Sequence, residues 1–133
     1  MTCTSPQRTS TNPKCLDLQA NMVRTVSWHG FHGTEKVTEI GGLDEDFWFW
    51  MEVSLQHAGF AAIDAAPARA GRSPENVTNR NLAGRGVQLE LSTAQRAAFF
   101  RNGDLSAGNR TNTTDEFHRY VEAIQVACRR LLA

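Results

Sequence analysis

Residues 36–65, KVTEIGGLDEDFWFWMEVSLQHAGFAAIDA, decide the fold. Lys36 to Ile40 alternates well enough for a strand, and Gly41 and Gly42 end it. Leu43 to Ala58 reads as a helix. Asp44, Glu45 and Asp46 stand at its start, where carboxylates favour the positive end of the helix dipole. Phe47, Met51, Leu55 and Ala58 then recur at a period near 3.6. Trp48, Phe49 and Trp50 widen the apolar surface to most of the circumference, so this helix is expected to pack against a sheet and something more. Gly59 is a natural stop, and Phe60 to Ala65 reads as a short strand. Strand, helix, strand in that order implies a right-handed crossover with parallel pairing, if both strands join one sheet. The fold class is therefore α/β.

Working outward, residues 1–12 are rich in Thr, Ser, Pro and Asn and are expected to form a flexible segment, leaving 13–133 as the domain. Pro13 to Ala20 can make a short helix with Leu16 and Leu18 as weak anchors. Val23 to His29 has the β-branched and aromatic bulk of a strand, broken by Gly30 and Gly33. Residues 66–85 form a long connection with Pro67, Gly71, Pro74 and Gly84, and a loop of that length in a compact domain is more often functional than idle. Gly86 to Leu91, GVQLEL, is a strand with Val87, Leu89 and Leu91 on one side and Gln88 and Glu90 on the other. Ser92 with Gln95 starts a helix that continues over Ala94 to Arg101. After a polar loop over 102–112, Thr113 and Glu116 form a second capping pattern. Phe117, Val121, Ile124, Cys128 and Leu131 make the stripe of a terminal helix.

Composition excludes several classes. The 133 residues suit one domain, with 41% hydrophobic and 21% charged residues, as in an ordinary globular chain. Lys plus Arg equals Asp plus Glu at 14 each, which gives no electrostatic case for nucleic acid. There is no apolar run of membrane-spanning length and no secretory h-region, so a cytoplasmic location is the default. Cys3, Cys15 and Cys128 are odd in number and form no CxxC, which argues against a disulfide framework or a zinc-thiolate site. Charge is uneven, however. Arg69, Arg72, Arg80, Arg85, Arg96 and Arg101 face only Glu75 and Glu90 across residues 69–101, so this segment can meet an anionic ligand even with half of those arginines solvated.

Four places carry possible chemistry. His29, in SWHG at a strand end beside a glycine, can bind zinc as a neutral imidazole; taken alone, a histidine satisfied by backbone is the commoner case. His32 and Glu35 form H-x-x-E on a Gly-interrupted loop, a spacing more often accidental there than on a helix. Glu90 is a carboxylate in mid-strand, costly to bury without a partner. It either pairs with an arginine or lines a cleft as a general base, and local sequence leaves both open. The Asn76, Asn79, Arg80, Asn81 cluster in ENVTNRN offers donors for a carboxylate, against the reading of Asx turns beside an exposed arginine.

The order SWHG, VTEIGGLDED, LQHAGF, SPENVTNRN and GRGVQLELS resembles the poly-γ-glutamate hydrolases, phage and bacterial proteins that look like compact relatives of zinc carboxypeptidases. The similarity runs from about Thr9 to Ala133. It implies a mixed sheet flanked by helices in a three-layer sandwich and a zinc-dependent hydrolase of γ-glutamyl amide bonds acting on an anionic polyglutamate. By position, His29 matches the last zinc-binding histidine and Glu90 the catalytic glutamate acting as general base. Asn79 and Arg80 match a stretch that holds substrate carboxylates. Members also carry an earlier His-Gly-Gly-x-x-Glu motif supplying the first two zinc ligands, and no such motif precedes His29. The expectation is thus a member incomplete at its N-terminus, with zinc binding and activity impaired. Two alternatives stay open: a non-catalytic domain that binds an anion through an Arg/Asn-lined cleft, and a metal site made from His29, His32 and Glu35.

Overall fold

The computed structural model describes residues 12–133. The segment 1–12 read as flexible lies outside the described residues except for Asn12, whose side chain caps helix α1 (Pro13–Ala20) by accepting from the Lys14 and Cys15 amides. The chain continues through β1 (Val26–Phe31), β2 (Thr38–Gly42), α2 (Glu45–His57), β3 (Ala62–Asp64), β4 (Val87–Ser92), α3 (Thr93–Ala98) and α4 (Asp115–Leu132). The four strands make one mixed sheet in the order β1-β4-β2-β3. As the strand–helix–strand reading requires, β2 and β3 pair in parallel around α2. β1 and β4 are also parallel, whereas β2 and β4, joined through the sheet centre, are antiparallel.

The sheet has two unlike faces. Val87, Leu89 and Leu91 of β4 and Ile40 of β2 point toward α2 and α4, where Phe47, Met51, Leu55, Ala123 and Ala127 complete the core. Tyr120 of α4 sits among them with Phe60 and Phe99, each ring centre 4.9 Å away, and its hydroxyl meets Thr38 Oγ1 at 2.9 Å. The further element expected against α2 is therefore α4. The aromatic run on α2 is less buried than its composition implied, since Phe49 is 51% exposed and Trp48 and Trp50 are half-buried. The other face is covered by the connection 66–85, with α1 beside it.

Several boundaries move for identifiable reasons. β1 starts three residues later than the Val23–His29 reading and runs through Gly30 to Phe31, because β4 pairs with it over that whole length. β2 likewise includes Gly41 and Gly42. A Cβ on Gly41 would collide with the Ala70 carbonyl, so glycine here admits the loop against the sheet and leaves the strand unbroken. Ser92 caps α3 through the Gln95 amide as read, but α3 ends at Ala98. The cap of α4 is Thr114, not Thr113, and Glu116 instead bonds Lys36 at 2.9 Å. Leu18 is no anchor for α1, being 71% exposed. Gln19 ties that helix down by donating to Thr25 Oγ1 and the Val77 carbonyl.

Candidate active site

The polar face of the sheet carries a row of three side chains at one level. His29 on β1 is the register partner of Glu90 on β4, and Glu90 is the register partner of Glu39 on β2. Directly paired residues project to the same face, so the imidazole and both carboxylates stand side by side. His29 and Glu90, separated by sixty-one positions in sequence, are thereby brought together.

Glu90 is enclosed, with 1% of its surface exposed. Gln88, two residues earlier on the same face, donates from Nε2 to Glu90 Oε1 at 3.2 Å and to the Arg69 carbonyl at 2.9 Å. The Gln88 oxygen accepts from Asn76 Nδ2 at 3.4 Å, which sets the orientation of its amide. Burial pushes the Glu90 carboxyl up to about 7; the nearby Arg69 charge and the Gln88 hydrogen bond work against this rise, and the Glu39 charge adds to it. Glu39 behaves oppositely. Arg69 grips it through two parallel hydrogen bonds, Nε to Oε2 at 2.8 Å and Nη2 to Oε1 at 2.7 Å, and that grip holds its carboxyl below the usual range. Of the two readings open for Glu90 in the sequence, the arginine pairing thus goes to its neighbour. Glu90 is left with a neutral amide as its hydrogen-bond partner.

His29 is half-buried and lines a cavity of about 220 Å³ with Cys15, Gln19, Ser27 and Thr78. Ser27 and Thr78 hydrogen-bond to each other through their hydroxyls. Glu90 does not line this cavity.

The asparagines of ENVTNRN are structural. Asn79 is 2% exposed, and its amide is fully engaged: Oδ1 accepts from the Leu43 and Gly86 amides at 3.2 and 3.1 Å, and Nδ2 donates to the Gly71 and Ser73 carbonyls at 2.8 and 2.9 Å. Asn76 caps the short turn over Val77–Asn79, and Asn81 binds Arg85 through both ends of its amide. These side chains hold the connection 66–85 in shape. Arg80 follows them on the surface and is exposed. Arg69, Glu39 and Gln88 were not singled out from sequence for the site. The only signals were Arg69 within the arginine-rich segment and Gln88 on the same strand face as Glu90.

Among the described residues, no three His, Cys, Asp or Glu side chains gather as a metal-binding set. His29, His32 and Glu35 are therefore not brought together, and His32 and Glu35 are exposed. A catalytic zinc takes about three protein ligands. No such set forms around His29, so the described residues do not by themselves fit the ion. No helix among them is long and apolar enough to cross a membrane.

The chain is similar in sequence and fold to known proteins. The family model for poly-gamma-glutamate hydrolase matches residues 8–123. The SPbeta prophage-derived UPF0714 protein YoqZ of Bacillus subtilis (strain 168) is 34% identical over 121 residues, covering 87% of this chain and 44% of YoqZ. A solved structure of a bacteriophage poly-gamma-glutamate hydrolase superposes with a TM-score of 0.87 at 38% identity, over 90% of this chain and 58% of that one. A zinc-free structure of YndL gives 0.82 at 29% identity, over 89% and 59%. The chain thus spans less than half the length of the curated relative and under two thirds of either solved chain. With the matched model running through both β1 and β4, the chain belongs to the poly-gamma-glutamate hydrolase family.

Proposed function

We propose that this chain contributes the general base of a γ-glutamyl amide hydrolase, with Glu90 as that base and His29 as its residue for a zinc ion. The observation that carries the reading is the pairing of His29 with Glu90 on one face of the sheet, with Glu90 hydrogen-bonded to no arginine among the described residues. A carboxyl raised to about 7 is half-ionised near neutral pH, where it can take a proton from an attacking water and return it to the leaving amine. Zinc supplies the Lewis acidity when it is bound. The zinc-free description of one neighbour supports a metal requirement in the family. Since His29 is the one ligand this reading assigns to the chain, we expect it to hold zinc poorly and to hydrolyse little by itself. Asn79 shapes the connection that carries Arg80, and Arg80 is an exposed cation that meets the polyanion.

The test is zinc content together with hydrolysis of poly-γ-glutamate by the purified chain and by Glu90→Gln. Background activity and substoichiometric zinc are expected. Robust hydrolysis lost in Glu90→Gln would keep the base and remove the impairment, and robust hydrolysis retained in that variant would remove the base.

A second reading has one observation in its favour, the lack of a gathered metal set among the described residues. It is a non-catalytic domain that holds an anionic polymer through its arginines. Polyglutamate binding that ignores chelators and is lost in Arg80→Ala supports it.

A further inference from the structure

Arg69 ends the short turn Pro67–Arg69 and lies across three strands. On one side its Nε and Nη2 hold the Glu39 carboxylate of β2, and on the other its guanidinium carbon lies 4.4 Å from the centre of the Phe31 ring of β1. β4 runs between those two strands, so the guanidinium spans the strand of Glu90. Its Nη1 has no partner among the described residues, and 31% of the side chain is exposed. A guanidinium has two edges suited to a carboxylate. Glu39 takes the Nε–Nη2 edge, and the bidentate contact with the stacked ring fixes the direction of the Nη1–Nη2 edge.

Poly-γ-glutamate makes its amide through the side-chain carboxyl, so every unit keeps a free α-carboxylate. A substrate carbonyl brought within reach of Glu90 is brought beside Arg69. We propose that the open edge of Arg69 receives the α-carboxylate of the unit flanking the scissile amide, with Glu39 holding the guanidinium at the receiving angle. The inference rests on the hydrolase reading above and adds a residue to it: Arg80 meets the polymer at the surface, and Arg69 sets its register against the base. Glu39 already offsets the charge of Arg69, so the contact depends on direction more than on net charge. A lysine is therefore a poor substitute.

Calorimetric titration of the purified chain with a short γ-linked glutamate oligomer, with and without added zinc, tests this. Arg69→Met is expected to weaken binding about tenfold or more, the size of a charge-assisted pair. Arg69→Lys, which keeps a cation for Glu39 and so guards the fold, is expected to lose nearly as much. Arg80→Ala is expected to lose less. Wild-type affinity in Arg69→Lys or in a folded Arg69→Met overturns the inference. Binding lost in Arg80→Ala but kept in both Arg69 variants defeats this inference alone, whereas absence of binding by the wild type under both conditions defeats the substrate reading with it.

Discussion

The two faces of β4 differ in chemistry although all six residues, Val87 to Ser92, are buried. Toward α2 and α4, Val87, Leu89 and Leu91 meet other apolar side chains, and each area removed from water stabilises the fold directly. Toward the connection 66–85, Gln88, Glu90 and Ser92 are as deeply buried but polar, and burial there costs free energy unless each group finds a partner. Ser92 does, accepting from the Gln95 and Val37 amides. Gln88 does so through Asn76, Arg69 and Glu90. Glu90 is only partly compensated, which is why its carboxyl is raised. One strand thus shows that burial marks a core on one side and a poised group on the other, and that incomplete compensation separates the two.

Substitutions on the two faces should break this contrast in different ways. Leu89→Ala on the apolar face is expected to have the largest effect on stability, about 2–5 kcal/mol in denaturant unfolding, because 0% of Leu89 is exposed and the site is packed on all sides. Glu90→Gln on the polar face should run the other way. A folded carboxyl raised from 4.5 to about 7 binds its proton more tightly than the unfolded chain does, so the penalty is absent below about pH 4.5, grows through the interval and is complete above about pH 7. The variant should therefore be more stable than the wild type by up to roughly 3 kcal/mol at pH 8, and equal to it near pH 4. The neighbouring Glu39 has the opposite sign: its lowered carboxyl stabilises the fold above the ordinary glutamate range, and that contribution fades as the pH falls. Asn79→Ala, which leaves two carbonyls of the connection and the Leu43 and Gly86 amides without their partner, should cost about 1–3 kcal/mol, with hydrogen exchange rising at Leu43 and Gly86 first.

Much of the fold was legible because it is local. The acidic start of α2 at Asp44, Glu45 and Asp46, the stop at Gly59, the Ser92 cap and the alternation of GVQLEL all depend on residues within a few positions of one another. The site was legible in part. Glu90 was conspicuous as a carboxylate in mid-strand, and the resemblance pointed to His29, which strand register sets beside it. Arg69 was hidden among six arginines, because nothing near it in the chain says that Glu39, thirty residues earlier, would take its guanidinium. The Asn cluster was ambiguous for a related reason. Asparagine serves turns and ligands with the same amide, and only the surrounding carbonyls and amides show which use Asn79 has.

The sequence by itself determined the α/β class, the order of elements, the apolar stripe of α2 and the presence of a carboxylate in mid-strand, since these follow from periodicity, capping and side-chain type. Tertiary structure alone decided that β2 runs antiparallel to β4 between two parallel pairs, that His29, Glu90 and Glu39 share one level, and which carboxylate Arg69 would hold. The physical reason is strand register: shifting a pairing by one residue turns a side chain to the opposite face. Here that register depends on hydrogen bonds between segments far apart in the chain.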